Sequence, residues 1–320
     1  MTDLERNKLR NECSRFLMCK TLNDSLELID IYTEFLYQII MKHHKEPVES
    51  YADADAKMVV QMMLTKTLHL KNIVSGITYN SSDGTSLNRI VDPTIVAALI
   101  RNIYETIGMF NLIYRNADKG DEKTILYNLW VYSGLKYRQR FEQFATIDEN
   151  VEKLENEKQQ LEKLKAAITE TDLYKSLDEE NQKRIKKKIK DKSYLLKFDG
   201  TTVVPLHWQE LTKTIGIKTD LFDNIYTYFS LYSHPSNVAV FQFSDMFNRD
   251  DEVFKILTNT NLRYYFSLTS IFIADLINLF PSVQETFNGQ NLRDQIVINF
   301  HNTFHRRYDY SINDSWKLLE

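Results

Sequence analysis

The stretch DPTIVAALIRNIYETIGMFNLIYRN, Asp92 to Asn116, decides how this chain is read. Asp92 is a good N-cap and Pro93 suits the first helical position, where no amide donor is needed, so a helix starts here. Ile95, Val96, Leu99, Ile100, Ile103, Ile107, Phe110 and Leu112 cover most of its circumference. A helix that is apolar nearly all round is expected to be surrounded by other helices. This segment is therefore the expected centre of a helical body.

Working outward, residues 3 to 45 read as two helices, with Asn23 or Asp24 as a cap, and Pro47 ends the pattern. A third helix runs from about Tyr51 to Ile77, and Asn80-Ser81-Ser82-Asp83-Gly84 reads as a loop. Further on, Asp220 is expected to cap a helix ending at Ser233, before Pro235. Two more helices are expected, at about Asp251–Phe280 and Leu292–Tyr308. Only 8 Gly and 5 Pro punctuate 320 residues, which leaves little room for the turns of a β fold. With 43% hydrophobic residues, 18 Phe and 18 Tyr, the chain has ample material for a core.

From Asp148 to Lys192 the sequence turns charged and poor in aromatics, with Leu154, Leu161 and Ile168 seven apart. This predicts a helical hairpin, one arm rich in Glu and the other in Lys, able to pair if antiparallel. Asp199-Gly200 then sits between Tyr194–Phe198 and Thr201–Pro205, the pattern of a β-hairpin and the one sheet expected. The expected architecture is all-α: a multi-helix bundle with a projecting charged helical hairpin and a small β-hairpin. Residues 1–147 form the N-terminal part of the body and 148–192 the charged hairpin. Residues 193–320 form the C-terminal part, with the β-hairpin near 194–205.

The net charge of −4 announces no nucleic-acid partner for the molecule as a whole, so any such role must come from a local patch. Cys13 and Cys19 are too few for a disulfide framework or a zinc site. The N-terminus has no apolar segment of the secretory kind, and the expected location is the cytoplasm. Tyr264 to Phe280 is strongly apolar but carries Asp275 and Asn278. It also falls short of the roughly 20 residues a bilayer core needs, so it is expected as a buried helix and no membrane partner is expected.

No Gly-rich phosphate loop, nucleophile elbow or paired-cysteine metal motif is present. His301 and His305 share a helical face, but Asn302 replaces the Glu a zinc peptidase would need, so they are read as surface histidines and no metal is expected. His43 and His44, being adjacent, diverge on a helix. The informative residues are polar ones inside the apolar helix: Arg101, Asn102 and Glu105, with Arg101 and Glu105 one turn apart. Buried charges cost several kcal/mol unless paired, so these require a structural network or a site. A second polar face follows on the helix ending at Ser233, where Asp223, Thr227, Ser230 and His234 recur at helical spacing. His234, at that helix's C-terminus, is the best placed for acid–base chemistry.

Arg101-x-x-x-Glu105, followed by Tyr228-Phe229-Ser230-Leu231-Tyr232-Ser233-His234-Pro235-Ser236, resembles a bacterial all-helical family of unknown function over roughly residues 90 to 280. That family pairs an Arg-x-x-x-Glu helix with a Ser-His-Pro end. The resemblance implies a helical bundle and no activity. A looser likeness is to the HEPN helical ribonucleases and nucleotide-binding proteins, often encoded in toxin and phage-defence loci. Their Arg and His lie close together on one helix, whereas no Arg precedes His234 at that spacing here.

Three functions follow. The first is a helical interaction or sensor protein of bacterial stress or phage defence, meeting a protein partner through 148–192. The second is a HEPN-like ribonuclease without a metal, in which His234, Arg101 and Glu105 form the catalytic set and RNA or a nucleotide is the partner. The third is a binder of small anions, in which Asn102, Tyr104, Ser230, Tyr232 and Ser233 line a pocket beside Arg101. No cofactor is expected, and the sequence does not set the oligomeric state.

Overall fold

The computed structural model describes residues 1–117, 120–218, 224–247 and 251–319. They form two compact units, Met1–Phe110 with Thr212–Glu320 and, separately, Asn111–Leu211. The described residues are dominated by α-helix, with two small antiparallel hairpins as the sheet content.

The first unit begins with α1 (Asp3–Met18), α2 (Leu22–His43) and α3 (Tyr51–Val74). Capping boxes start the first two, Thr2 with Glu5 and Thr21 with Asp24. Asp24 thus acts in the first turn of α2, and Thr21 is the cap. One face of α2 buries Leu28, Ile29, Tyr32, Phe35, Leu36 and Ile39.

A hairpin of β1 (Ile77–Asn80) and β2 (Ser86–Ile90) follows where the sequence suggested only a loop. Its cause is local. The Asp83 carboxylate accepts from the Thr85 amide at 2.9 Å, and Gly84 supplies a φ of +86°. Ile77 and Tyr79 are exposed, so burial wrote no alternating pattern for sequence reading to find.

Next, α4 (Pro93–Phe110) packs against α3 and two later helices of the same unit, α10 (Ile225–Ser233) and α12 (Asp251–Leu279). It is not surrounded as its sequence suggested, because Ile95 and Asn102 face solvent. The sector left open is the one that carries its polar residues.

In the second unit a π-type turn, Asn111–Asn116, precedes α5 (Gly120–Arg138), α6 (Asp148–Thr169), α7 (Asp172–Ser176) and α8 (Glu179–Asp191). Leu154, Leu161 and Ile168 are buried as their seven-residue spacing suggests, and α6 packs along α5. The expected charge pairing between arms is not what organises α8. Lys183 and Arg184 instead pair with Glu179 and Glu180 on their own helix. The hairpin of β3 (Leu196–Asp199) and β4 (Thr202–Pro205) forms where Asp199-Gly200 placed it, with Gly200 at φ +58°. The buried Asn181 side chain of α8 accepts from the Val203 amide at 2.8 Å and ties the hairpin down.

The chain then runs through α9 (Leu211–Thr214), α10 (Ile225–Ser233), α11 (Asn237–Phe247), α12 (Asp251–Leu279), α13 (Val283–Asn288) and α14 (Leu292–His305). Asp220, the expected cap, lies outside the described residues. Sequence reading found no counterpart of α11, which Ser236 starts by accepting from the Ala239 amide at 3.1 Å. The apolar stretch that begins at Tyr264 is the core half of α12, which ends at Leu279, one residue before Phe280. No helix among the described residues is long and apolar enough to cross a membrane.

Candidate functional site

Arg101 sits at the border of the open sector of α4, beside α10. Its guanidinium is held on every side. Nε donates to Glu105 Oε1 at 3.0 Å, one helical turn on. Nη2 donates to the Tyr226 hydroxyl, and the guanidinium carbon lies 4.5 Å from the centre of the Tyr226 ring. Nη1 points at His234 Nε2, 3.1 Å away. An arginine can only donate, so Nε2 is the accepting atom of this contact.

The cluster lies at the surface rather than in the core. The Arg101 and Glu105 side chains are 20% and 26% exposed, and His234 and Asn102 are exposed. His234 closes α10 as its C-cap, with its amide on the Ser230 carbonyl at 3.2 Å. Its extended backbone, at φ −104° and ψ 147°, is the conformation that the following Pro235 imposes.

The remaining sequence candidates are arranged differently. Tyr104 is buried, with its ring 5.8 Å from that of Tyr226, and burial pushes its phenol well above the ordinary value. The Ser230 and Ser233 hydroxyls turn back onto their own helix, donating to the Tyr226 and Phe229 carbonyls at 2.6 and 2.7 Å. Tyr232 is buried and donates to Gln242 of α11. Thr227 is exposed, and Asp223 lies outside the described residues. Tyr226 is the member that sequence reading missed. Its one signal is its place a turn before Ser230, at the edge of the polar face.

The buried polar centre lies elsewhere in the same unit. Arg306 makes a two-pronged contact with Asp275, at 2.8 and 2.9 Å, with the two side chains 1% and 3% exposed. Its Nε donates to the Ile215 carbonyl at 2.6 Å, and Tyr310 lies against its guanidinium. His301 and His305 are likewise not surface residues. His301 is buried, 3.1 Å from the Tyr32 hydroxyl and stacked on Phe266. Burial lowers its pKa to about 3, and burial together with Lys218 lowers that of His305 to about 4. The Cys13 and Cys19 thiols are also buried, which pushes both up to about 11 and away from thiolate chemistry. Among the described residues no three His, Cys, Asp or Glu side chains gather as a metal site would require.

Residues 88–253, just over half of the chain, match a family of unknown function (DUF5677). The matched span takes in Arg101, Glu105, Tyr226 and His234 and leaves out Asp275 and Arg306. No curated protein and no solved structure matches the chain.

Proposed function

The chain belongs to that family of unknown function, and we propose that in this protein the Arg101–His234 pair binds the phosphodiester backbone of RNA and cleaves it with side chains alone. One observation carries the reading. A guanidinium clamped by Glu105 and Tyr226 directs its remaining edge at Nε2 of an exposed imidazole. A purely structural arginine gains little from facing an exposed histidine. An arginine that waits for an anion is held in this way, preorganised at no cost during the reaction.

The chemistry follows from the contact. An incoming phosphate draws Nη1 off His234, which frees Nε2 to accept a proton. Nε2 takes the proton of the ribose 2′-hydroxyl as that oxygen bonds to phosphorus. The bond from phosphorus to the 5′-oxygen breaks, the departing oxygen takes its proton from water, and the hydroxide so formed takes the proton held on Nε2. Arg101 balances the charge that builds on the phosphoryl oxygens. The proposed chemistry is of the kind expected from the likeness to HEPN ribonucleases, with Arg and His supplied by two neighbouring helices instead of one.

The test is incubation of end-labelled RNA, and of DNA of the same sequence, with the protein in the presence of chelator. RNA should be cut to products ending in a cyclic phosphate, and DNA, lacking the 2′-hydroxyl, should stay whole. His234→Ala and Arg101→Ala should each abolish cutting while the far-ultraviolet spectrum holds. Intact RNA with the wild-type protein, or full activity in His234→Ala, would sink the reading.

A second reading, that of an interaction protein, is favoured by a separate observation in the second unit. Tyr137, Phe141, Phe144, Ile147 and Val151 are each at least half exposed along the α5–α6 elbow. Replacing Phe141 and Phe144 by Ser should remove any association that light scattering detects. Unchanged association would discard this surface.

A further inference from the structure

We propose that the first unit carries a second anion site, separate from Arg101, built to take a small phosphate-bearing ligand of the nucleoside polyphosphate class. It is a cleft of about 700 Å³ between the α1–α2 turn, the end of β2 and α12. That volume suits a ligand of nucleotide size.

Charge is the first argument. Lys20, Arg89, Lys255 and Arg263 line the cleft from three different elements, and no Asp or Glu lines it among the described residues. Arg89 and Arg263 spend donors only on carbonyls, those of Ser75 and Met18, and neither makes an ion pair among the described residues. Lys20 is exposed and has no partner there. Asp24 and Glu27, the acids that follow Lys20 in the sequence, are already engaged by Arg15. Three like charges left unneutralised around one concavity repel one another, and a multiply charged anion relieves that repulsion. The α2 macrodipole adds to the same sign, because Leu22 and Asn23 of its first turn belong to the lining.

The second argument is that the cleft is fixed before any ligand arrives. Cys19 joins α1 to α2 at φ 38°, a left-handed conformation uncommon for a residue with a side chain. It is held there by Asn259 of α12, which donates to the Cys19 carbonyl and accepts from the buried Ser25 hydroxyl. The strained turn therefore sets Lys20 against α12 and contributes preorganisation.

The third argument separates a nucleotide from bare phosphate. Leu22, Leu26, Val91 and Ile256 give the cleft an apolar wall, and Ile256 is 65% exposed. A flat, weakly hydrated base would cover that wall while the phosphates meet the cations.

Calorimetric titration of the full chain with inorganic triphosphate, a nucleoside triphosphate and the free nucleoside tests this. The nucleoside triphosphate should bind more tightly than triphosphate, and the nucleoside alone should not bind. Lys20→Glu and Arg89→Glu should each weaken binding by about tenfold or more, as the loss of a charge-assisted phosphate contact does. Lys20→Glu removes no contact among the described residues, so an unaltered melting curve will show that a lost signal is not unfolding. Absence of binding by wild type, equal binding by both charge reversals, or binding of RNA oligomers alone would overturn the proposal.

Discussion

Two arginines in the first unit each meet a carboxylate and lie against a tyrosine ring, and they serve opposite ends. Arg306 is sealed, with both prongs on Asp275, its Nε on a carbonyl and its side chain 1% exposed. Arg101 is one-fifth exposed and shares its donors among Glu105, Tyr226 and the exposed His234. What separates them is where the last donor goes. In a closed site every donor ends on a partner as buried as itself, because an unmet charge in the core costs several kcal/mol. In an open site one donor ends on a group that a ligand can displace.

The largest expected effect breaks the closed pair. Arg306→Met takes the two-pronged cationic partner from the buried Asp275 carboxylate and should cost about 3–5 kcal/mol in urea unfolding, if the variant folds at all. Adding Asp275→Leu removes the stranded charge and should recover much of that loss. A single variant as stable as wild type would mean that Asp275 reaches water, and the contrast between the two arginines would then fail.

A middle-sized effect comes from the two histidines of α14, His301 and His305. Both are depressed in the fold, His301 to about 3 and His305 to about 4, while an unfolded histidine titrates near 6.5. The unfolded chain therefore binds more protons throughout the interval between. Their stabilising contribution is complete above about pH 6.5 and declines as pH falls toward 4, at up to about 1.4 kcal/mol per pH unit for each ring. His301→Phe, which preserves the stacking on Phe266, should make that decline shallower when melting is followed from pH 7 to pH 5. An unchanged slope would place the ring in solvent.

How much of this the sequence discloses depends on the range of the interaction. Thr21, Asp199-Gly200 and the seven-residue spacing of Leu154, Leu161 and Ile168 act through near neighbours, and helix and hairpin placement could be read or nearly read from them. The Arg101–Glu105 contact is also local, one helical turn, and so is legible. The roles of Arg306 and Asp275 are not. Each looks like an isolated polar residue until the fold brings α12 and the end of α14 together, and Asp275 on its own reads only as a blemish in an apolar stretch. His301 and His305 misled for the same reason, since helical spacing fixes which face they share and says nothing of what covers it. The exposure of the Arg101 cluster was missed because apolar residues go almost round α4. Composition cannot show that Ile95 stays uncovered.

The smallest stability effect is the one on which the comparison turns. Arg101→Gln removes a partly exposed i,i+4 ion pair, a contact with the Tyr226 ring and the hydrogen bond to His234. Pairs of this kind contribute about 0–1 kcal/mol, because water screens the charges and holding long side chains in place costs entropy. The shorter glutamine keeps the helix propensity of α4 and leaves no bare charge in the core, since Glu105 is itself about one-quarter exposed. The melting temperature should therefore fall by only a few degrees, while RNA cleavage drops to background. Arg101→Lys should show the same division, because an ammonium retains the charge without the planar fork that reaches Glu105, Tyr226 and His234 together. A loss of stability on the scale expected for Arg306→Met would make Arg101 a second structural clamp. Stability and activity would then fall in proportion across both variants, and the open site would have no claim to function.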